Sequence, residues 1–216
     1  MSFKIFIQAR MSSNRLPGKV LMPFQGQAII QNVVNAAGAD KTVVLTSTEP
    51  SDDPLVEYLE SKSISFFRGS LNDVYGRFCD AIDHFEPEWV MRICADSPLI
   101  PTELLKGMED IKRGNADLIS NVFSRTFPKG HSVEIIRAKT MMDTPKENLT
   151  ADDKEHVTTF FYRNAKMFNI TSVTQEKDMQ KHNLAVDTRD DYDRLSRMNK
   201  TDIVYDPAMW RISTHA

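Results

Sequence analysis

The stretch Trp89-Val90-Met91-Arg92-Ile93-Cys94-Ala95, running into Asp96-Ser97-Pro98, is apolar at nearly every position before the aspartate. A strand with one wet face alternates apolar and polar residues. A nearly continuous apolar run of this length suits a strand covered on both faces, as in a parallel sheet. Working outward, similar units recur. Residues 4–7 read as a first strand, and 28–37 as a helix with Ile29, Ile30, Val33, Val34 and Ala37 on one face. Residues 42–45 read as a strand, 54–61 as a helix entered through Ser51-Asp52-Asp53, 64–67 as a short strand and 74–85 as a helix. After the 89–95 strand come a helix at 102–113 and a strand at 117–120.

The pattern then loosens. Strand-like segments fall within 123–137 around Pro128-Lys129-Gly130, a helix at 152–164, strands at 168–174 and 184–187, and a closing helix at 189–198. Beyond Lys200 the chain reads as irregular, with 207–216 packed on the surface. Strands alternating with helices predict a three-layer α/β/α domain with a mostly parallel, mixed sheet and its ligand site at the carboxyl ends of the strands. No linker divides the chain, so 1–216 reads as a single domain. About 1–120 forms a nucleotide-binding half, and about 121–200 walls the second substrate.

Composition narrows the classes. The chain has 216 residues, 26% charged and 41% hydrophobic, an ordinary globular mix. Its net charge of −3 lacks the basic excess with which nucleic-acid binders neutralise phosphates. No apolar run is long enough for a membrane span, and the N-terminal residues lack the apolar stretch of a signal peptide. Cys79 and Cys94 sit in unrelated contexts without C-x-x-C or histidine-rich neighbourhoods. They read as buried small hydrophobes in a reducing compartment, so a cytoplasmic location is expected.

The most informative loop is Gln8-Ala9-Arg10-Met11-Ser12-Ser13-Asn14-Arg15-Leu16-Pro17-Gly18-Lys19-Val20-Leu21, directly after the first strand. Cations at 10, 15 and 19, with backbone N–H groups, can wrap a polyphosphate there. The loop is not a Walker A motif, since Ser13 and Val20 stand where glycine and Ser or Thr are needed, and it is not G-x-G-x-x-G.

This loop resembles the first motif of the cytidylyltransferases that make CMP-activated acidic sugars, the CMP-KDO and CMP-sialic acid synthetases. It is still more similar to the spore coat polysaccharide (SpsF) branch of that superfamily. The likeness returns at S-T-E-P-S-D-D-P (47–54), F-R-G-S-L-N-D-V-Y-G-R-F (67–78), R-I-C-A-D-S-P-L-I (92–100), F-P-K-G-H-S-V-E (127–134), E-H-V-T (155–158) and V-D-T (186–188). Asn14 departs from the threonine frequent in relatives. The resemblance implies a Rossmann-like nucleotide-diphospho-sugar transferase fold, CTP as substrate, a divalent metal such as Mg²⁺, and transfer of CMP to a sugar with release of pyrophosphate. A homodimer built on the 123–137 arm is implied by the same analogy.

By resemblance, Arg10, Arg15 and Lys19 match triphosphate positions. Arg10 or Lys19 lies nearest the developing charge, with Gln8, Ala9, Ser12 and Ser13 beside the nucleotide. As plain turn residues the two serines would need no ligand. Asp96 ends the 89–95 strand at the ligand crevice and reads as a metal ligand. Its alternative is a cap for the helix near Thr102, where Thr102 itself is better placed. Asp187 is the second metal ligand by resemblance, and a cap of the helix at Arg189 otherwise. Asp190, Asp191 and Asp193 read as a solvated acidic helix start.

Arg68, Gly69, Ser70, Asp73 and Arg77 form a polar cluster by the nucleotide base in the resemblance. Alternatively Ser70 caps the next helix and Arg77 pairs with Asp73. Arg92, inside an apolar strand, needs either a structural partner or a phosphate or acceptor contact. Lys129, His131, Glu134 and the Glu155-His156 pair lie in the half that faces the acceptor. A glycosyltransferase using a sugar nucleotide is the competing activity, and a noncatalytic nucleotide-binding subunit the competing class. The first would favour a D-x-D metal motif, but Asp191-Tyr192-Asp193 falls in a predicted helix. The second would have lost a cation or a carboxylate, and Arg10, Arg15, Lys19, Asp96 and Asp187 are all kept.

Overall fold

A computed structural model describes residues 2–199 and 202–215. An eight-stranded sheet runs through the molecule in the order β10-β9-β7-β8-β6-β1-β4-β5. Its parallel centre consists of β1 (Phe3–Gln8), β4 (Thr42–Ser47), β5 (Phe66–Gly69) and β6 (Trp89–Cys94). The second half adds β7 (Leu118–Ser120), β8 (Glu134–Arg137), β9 (Ile170–Gln175) and β10 (Trp210–His215). There β8 runs antiparallel to both β6 and β7, β9 is parallel to β7, and β10 is antiparallel to β9.

Both faces of the sheet are covered, which is why the 89–95 run shows no alternation. Ile5, Ile7, Val44, Met91, Ile93, Ile119 and Ile135 point into one core. There they meet α1 (Ile29–Ala37), α2 (Asp53–Ser61) and α4 (Thr102–Glu109). Their sequence neighbours Phe6, Val43, Leu45, Val90, Leu118 and Ile136 point into the other. That core is closed by α3 (Val74–Phe85), α5 (Ala138–Met142) and α7 (Thr159–Arg163). Side chains on a strand alternate between faces, so one apolar run supplies two cores. The three-layer expectation holds. Among the described residues no helix is long and apolar enough to cross a membrane.

Several local expectations need correction. The helix expected at 152–164 is two, α6 (Ala151–His156) and α7, separated by Val157 at φ 58. The Thr158 amide donates to the His156 carbonyl at 2.6 Å, which makes Val157 the centre of a tight γ-turn. The valine side chain is wholly buried, so packing holds a conformation that a β-branched residue otherwise avoids. The helix expected to reach Arg113 ends at Glu109, and Thr102 is its first residue rather than its cap, with Pro101 in the capping position.

Within 123–137 only residues from Glu134 onward form a strand. Residues 184–187 are extended but belong to no strand. Their amides bond to loops, Leu184 N–H to the Lys129 carbonyl at 2.7 Å and Val186 N–H to the Asp96 carbonyl at 2.8 Å. The tail does not merely lie on the surface, since Trp210–His215 extends the sheet as its outermost strand. Unremarked in the sequence is a hairpin of β2 (Pro23–Phe24) and β3 (Gln27–Ala28). It turns through Gln25 and Gly26, both at positive φ as a two-residue hairpin requires.

Gly130 fixes how the second half meets the first. At φ 93, a Cβ there would lie 2.4 Å from the Leu184 carbonyl carbon and 2.5 Å from the Ala185 nitrogen. Gly130→Ala is expected to cost about 2 kcal/mol or more, combining backbone strain with main-chain overlap. Urea unfolding measures it, and an unchanged midpoint would show that the 183–187 segment gives way freely.

Candidate active site

The loop after β1 closes on itself through Met11. The Met11 carbonyl accepts from Ser13 N–H at 2.9 Å and from Gly18 N–H at 2.8 Å, and Gly18 adopts φ 71. Arg10 stands just before this neck, and Lys19 just after it begins a short 3-10 turn, Lys19–Leu21. The loop therefore delivers both cations to the carboxyl ends of β1 and β6. They line a cleft of about 330 Å³ together with Gln8, Ala9, Ser13, Arg15, Arg92, Asp96, His156 and Asp187. Asn14, Cys94 and Glu155 complete its polar wall.

Lys19 is only 8% exposed, and its ammonium donates to three oxygens. These are Asp96 Oδ2 at 2.9 Å, the Val186 carbonyl at 2.7 Å and Asp187 Oδ1 at 3.2 Å. Arg15 reaches the same Asp187 Oδ1 at 2.9 Å, and Lys129 reaches Oδ2 at 2.6 Å. Burial alone would raise the Asp187 carboxyl, but hydrogen bonds from Lys129 and Lys19 bring it below the usual carboxylate value. Asp187 is thus held ionised by three cations. It is not a helix cap. That place belongs to Thr188, whose hydroxyl and Asp191 form a capping box for α8 (Arg189–Leu195). Asp191 is spent on this box and Asp193 pairs with Arg189 at 3.1 Å, so the D-x-D triplet is structural.

Asp96 and Asp187 converge on one point, the Lys19 ammonium. Among the described residues no three His, Cys, Asp or Glu side chains cluster as a metal cage. Two carboxylates facing one cation position still match the donor set with which proteins hold Mg²⁺, the rest being water and substrate oxygens.

On the opposite wall Arg10 pairs with Glu155 at 2.9 Å. Arg92 is paired with Glu134 and bonds to Gln8 Oε1 at 3.1 Å. Burial disfavours its charge, but Glu134 overrides this and holds the guanidinium protonated. Glu134 also accepts from the Tyr162 hydroxyl, which lies 2.6 Å from Ser120 Oγ. Arg92 is therefore a charge paired through its two terminal nitrogens at the cleft floor, with Nε left unpartnered, and Glu134 stands behind it rather than in the cleft. Burial pushes the Cys94 thiol up to about 11, so it stays protonated at neutral pH.

Other expected site residues lie away from the cleft. Ser12 does not line it. Arg68 grips the turn after β4, through the Ser47 carbonyl at 2.8 Å, the Glu49 carbonyl at 3.1 Å and Asp53 at 2.7 Å. The space that Gly69 leaves is filled by Arg77, whose Cγ would be 2.8 Å from an added Cβ. Asp73, not Ser70, caps α3, accepting from Gly76 N–H at 2.8 Å, while Ser70 Oγ accepts from Asp73 N–H. Arg77 is 1% exposed and donates to the Ser70 carbonyl at 3.0 Å instead of pairing with Asp73. The 68–77 residues thus brace the turns around them, with Arg77 buried and Ser70 exposed. His131 is fully buried, with Nδ1 2.8 Å from the Tyr205 hydroxyl. Lys129 was legible only as part of the second half. Nothing in its local sequence signals the reach to Asp187, which depends on the turn at Gly130.

A cation-bearing loop after the first strand, at the carboxyl ends of parallel strands, is where α/β folds hold phosphates. The comparisons name the class more narrowly. The chain belongs to the cytidylyltransferase family, whose model matches residues 5–207, and it is an enzyme of that kind. It is 26% identical over 203 residues to the spore coat polysaccharide biosynthesis protein SpsF of Bacillus subtilis (strain 168), covering 89% of this chain and 84% of that one. It superposes on a cytidylyltransferase from Leptospira borgpetersenii serovar Hardjo-bovis (strain JB197) with TM-score 0.86 at 30% identity, covering 94% and 92% of the two chains. The fold is shared more distantly with a CMP:2-keto-3-deoxy-manno-octonic acid synthetase solved with CTP. There the TM-score is 0.63 at 15% identity, over 91% and 97% of the chains.

Burial pushes His131 down to about 3. The unfolded chain takes up a proton near 6.5 that the folded chain refuses, so stability is full above pH 6.5 and falls as pH drops toward 3. His131→Gln should remove part of this acid-side slope. Melting temperatures of both proteins between pH 7 and 4 measure it, and parallel curves would refute the buried neutral imidazole.

Proposed function

We propose that the chain transfers CMP from CTP to a hydroxyl of an acidic sugar, releases pyrophosphate, and so activates that sugar for surface or spore-coat-type polysaccharide in the cytoplasm. The observation that carries this reading is the single cation position shared by Asp96 and Asp187, fed by the loop that also carries Arg10 and Arg15. The SpsF name of the Bacillus relative supports the polysaccharide context.

The sugar oxygen attacks the α-phosphorus and loses its proton. The bond from that phosphorus to the bridging oxygen breaks, and the charge collects on pyrophosphate. Fixed cations that meet charge as it develops lower the barrier, because they need no reorganisation at that moment. Arg10, Arg15 and Lys19 take the β- and γ-phosphates, exchanging carboxylate partners for phosphate oxygens. Asp96 and Asp187 would hold a divalent cation such as Mg²⁺, whose charge would offset repulsion between the reacting anions. Lys129 keeps Asp187 ionised and in place. His156 and Glu155 face the acceptor from the second half, and Arg92, aligned by Glu134 and Gln8, forms the floor beneath it.

Calorimetric titration with CTP, ATP, GTP and UTP, each with and without Mg²⁺, tests the reading. Selective, metal-enhanced CTP binding is expected. Tight binding of a nucleoside-diphosphate sugar without triphosphate binding would replace it with a glycosyltransferase. Lys19→Ala should weaken CTP binding at least tenfold, a loss of about 1.4 kcal/mol. Asp96→Asn should abolish the metal enhancement and cut pyrophosphate release by about 10²–10³. Near-wild-type turnover would remove Asp96 from the mechanism.

A further inference from the structure

The motif S-T-E-P-S-D-D-P (47–54) lies outside the cleft lining, yet it contains a wholly buried carboxylate, Asp52. Among the described residues Asp52 has no ion-pair partner. Four hydrogen bonds satisfy it instead. Oδ2 accepts from the Thr46 hydroxyl at 2.9 Å, Ser47 N–H at 3.0 Å and the Ser47 hydroxyl at 2.5 Å. Oδ1 accepts from the Met11 N–H at 2.7 Å. Hydrogen bonds to an ionised acceptor are the strong ones, and a buried carboxylate with four donors is held in one orientation.

Met11 is the neck of the cation-bearing loop, because its carbonyl takes both Ser13 and Gly18 amides. Asp52 therefore holds the one residue from which Arg10 departs on one side and, through Gly18, Lys19 on the other. Arg68 clamps the turn from outside through Ser47, Glu49 and Asp53, and Thr48 N–H bonds to the Gly69 carbonyl at 2.9 Å. A continuous chain of restraints runs from β5 through this turn to the loop.

We propose that Asp52 is a positioning residue for the triphosphate site: it touches no substrate but sets the direction of Arg10 and Lys19 through the Met11 amide. The proposal rests on the reading of that loop as the triphosphate site. An asparagine keeps one acceptor for Met11, but turns an NH₂ donor onto three donors from Thr46 and Ser47. Ser47→Ala is the milder variant, removing one hydroxyl and leaving the carboxylate.

The test is the affinity for CTP with Mg²⁺, measured by calorimetry well below the melting temperature, with amide hydrogen exchange at Met11 alongside. Asp52→Asn should lose at least tenfold in affinity and Ser47→Ala a few-fold, each with faster exchange at Met11 and unchanged protection in β1 and β6. Asp117→Asn is the control. Its carboxylate is also held, by Thr140 and the Asn169 amide at 2.9 Å each, but beside the start of β7, at the end of the sheet away from the cleft. It should leave CTP affinity unchanged. Wild-type affinity in both Asp52→Asn and Ser47→Ala would overturn the positioning role and leave the triphosphate reading standing. No CTP binding by the wild type would overturn that reading and this proposal with it.

Discussion

A lysine ammonium, 8% exposed, joins three separate stretches of chain in this protein. Lys19 leaves the loop after β1, meets Asp96 at the end of β6, and meets Val186 and Asp187 on the strand-free segment that precedes α8. A charge so buried is tolerated only when its partners are close and complete. Here they are complete only if all three stretches arrive together. The end of β6, the segment before α8 and the cation-bearing loop are therefore tied at one atom, at the edge of the cleft.

Much of this was legible before any coordinates. The nearly continuous apolar run at 89–95 announced a sheet buried on both faces, and its apolar side chains do enter separate cores. The cations at 10, 15 and 19 stood out as a candidate phosphate loop because they follow the first strand, and all three do line one cleft. What was not legible depended on contacts distant in sequence. Residues 184–187 carry a strand's composition, but their amides bond to residues 129 and 96, which no local pattern reveals. Residues 152–164 keep helical periodicity across Val157, and only burial of that valine stabilises the break. The outermost strand, Trp210–His215, has exposed residues almost throughout, so it lacks the apolar signature that marks inner strands.

The 68–77 cluster shows the same limit from the other side. Its polar residues read equally as ligand contacts or as caps and pairs, and in the structure they bond to carbonyls, a carboxylate and a helix start. Arginine can donate to a backbone carbonyl as well as to a phosphate oxygen, since both offer lone pairs to the same donors. Residue type alone cannot separate the uses. The partner decides, and the partner is set by packing, such as Arg77 filling the space beside Gly69.

The loop neck has a consequence for how the protein tolerates change. Met11 is bound through its main chain, both by its N–H and by its carbonyl. No side chain between residues 12 and 17 takes part in that closure. Arg15, which holds Asp187, and Leu16, which packs against the core, are fixed by other contacts, but substitutions at 12–14 leave the main-chain closure beside the flanking cations in place. For directed evolution, the loop divides into a permissive arch at 12–14 and a fixed hinge at Met11, and a library confined to that arch keeps the cations and their frame.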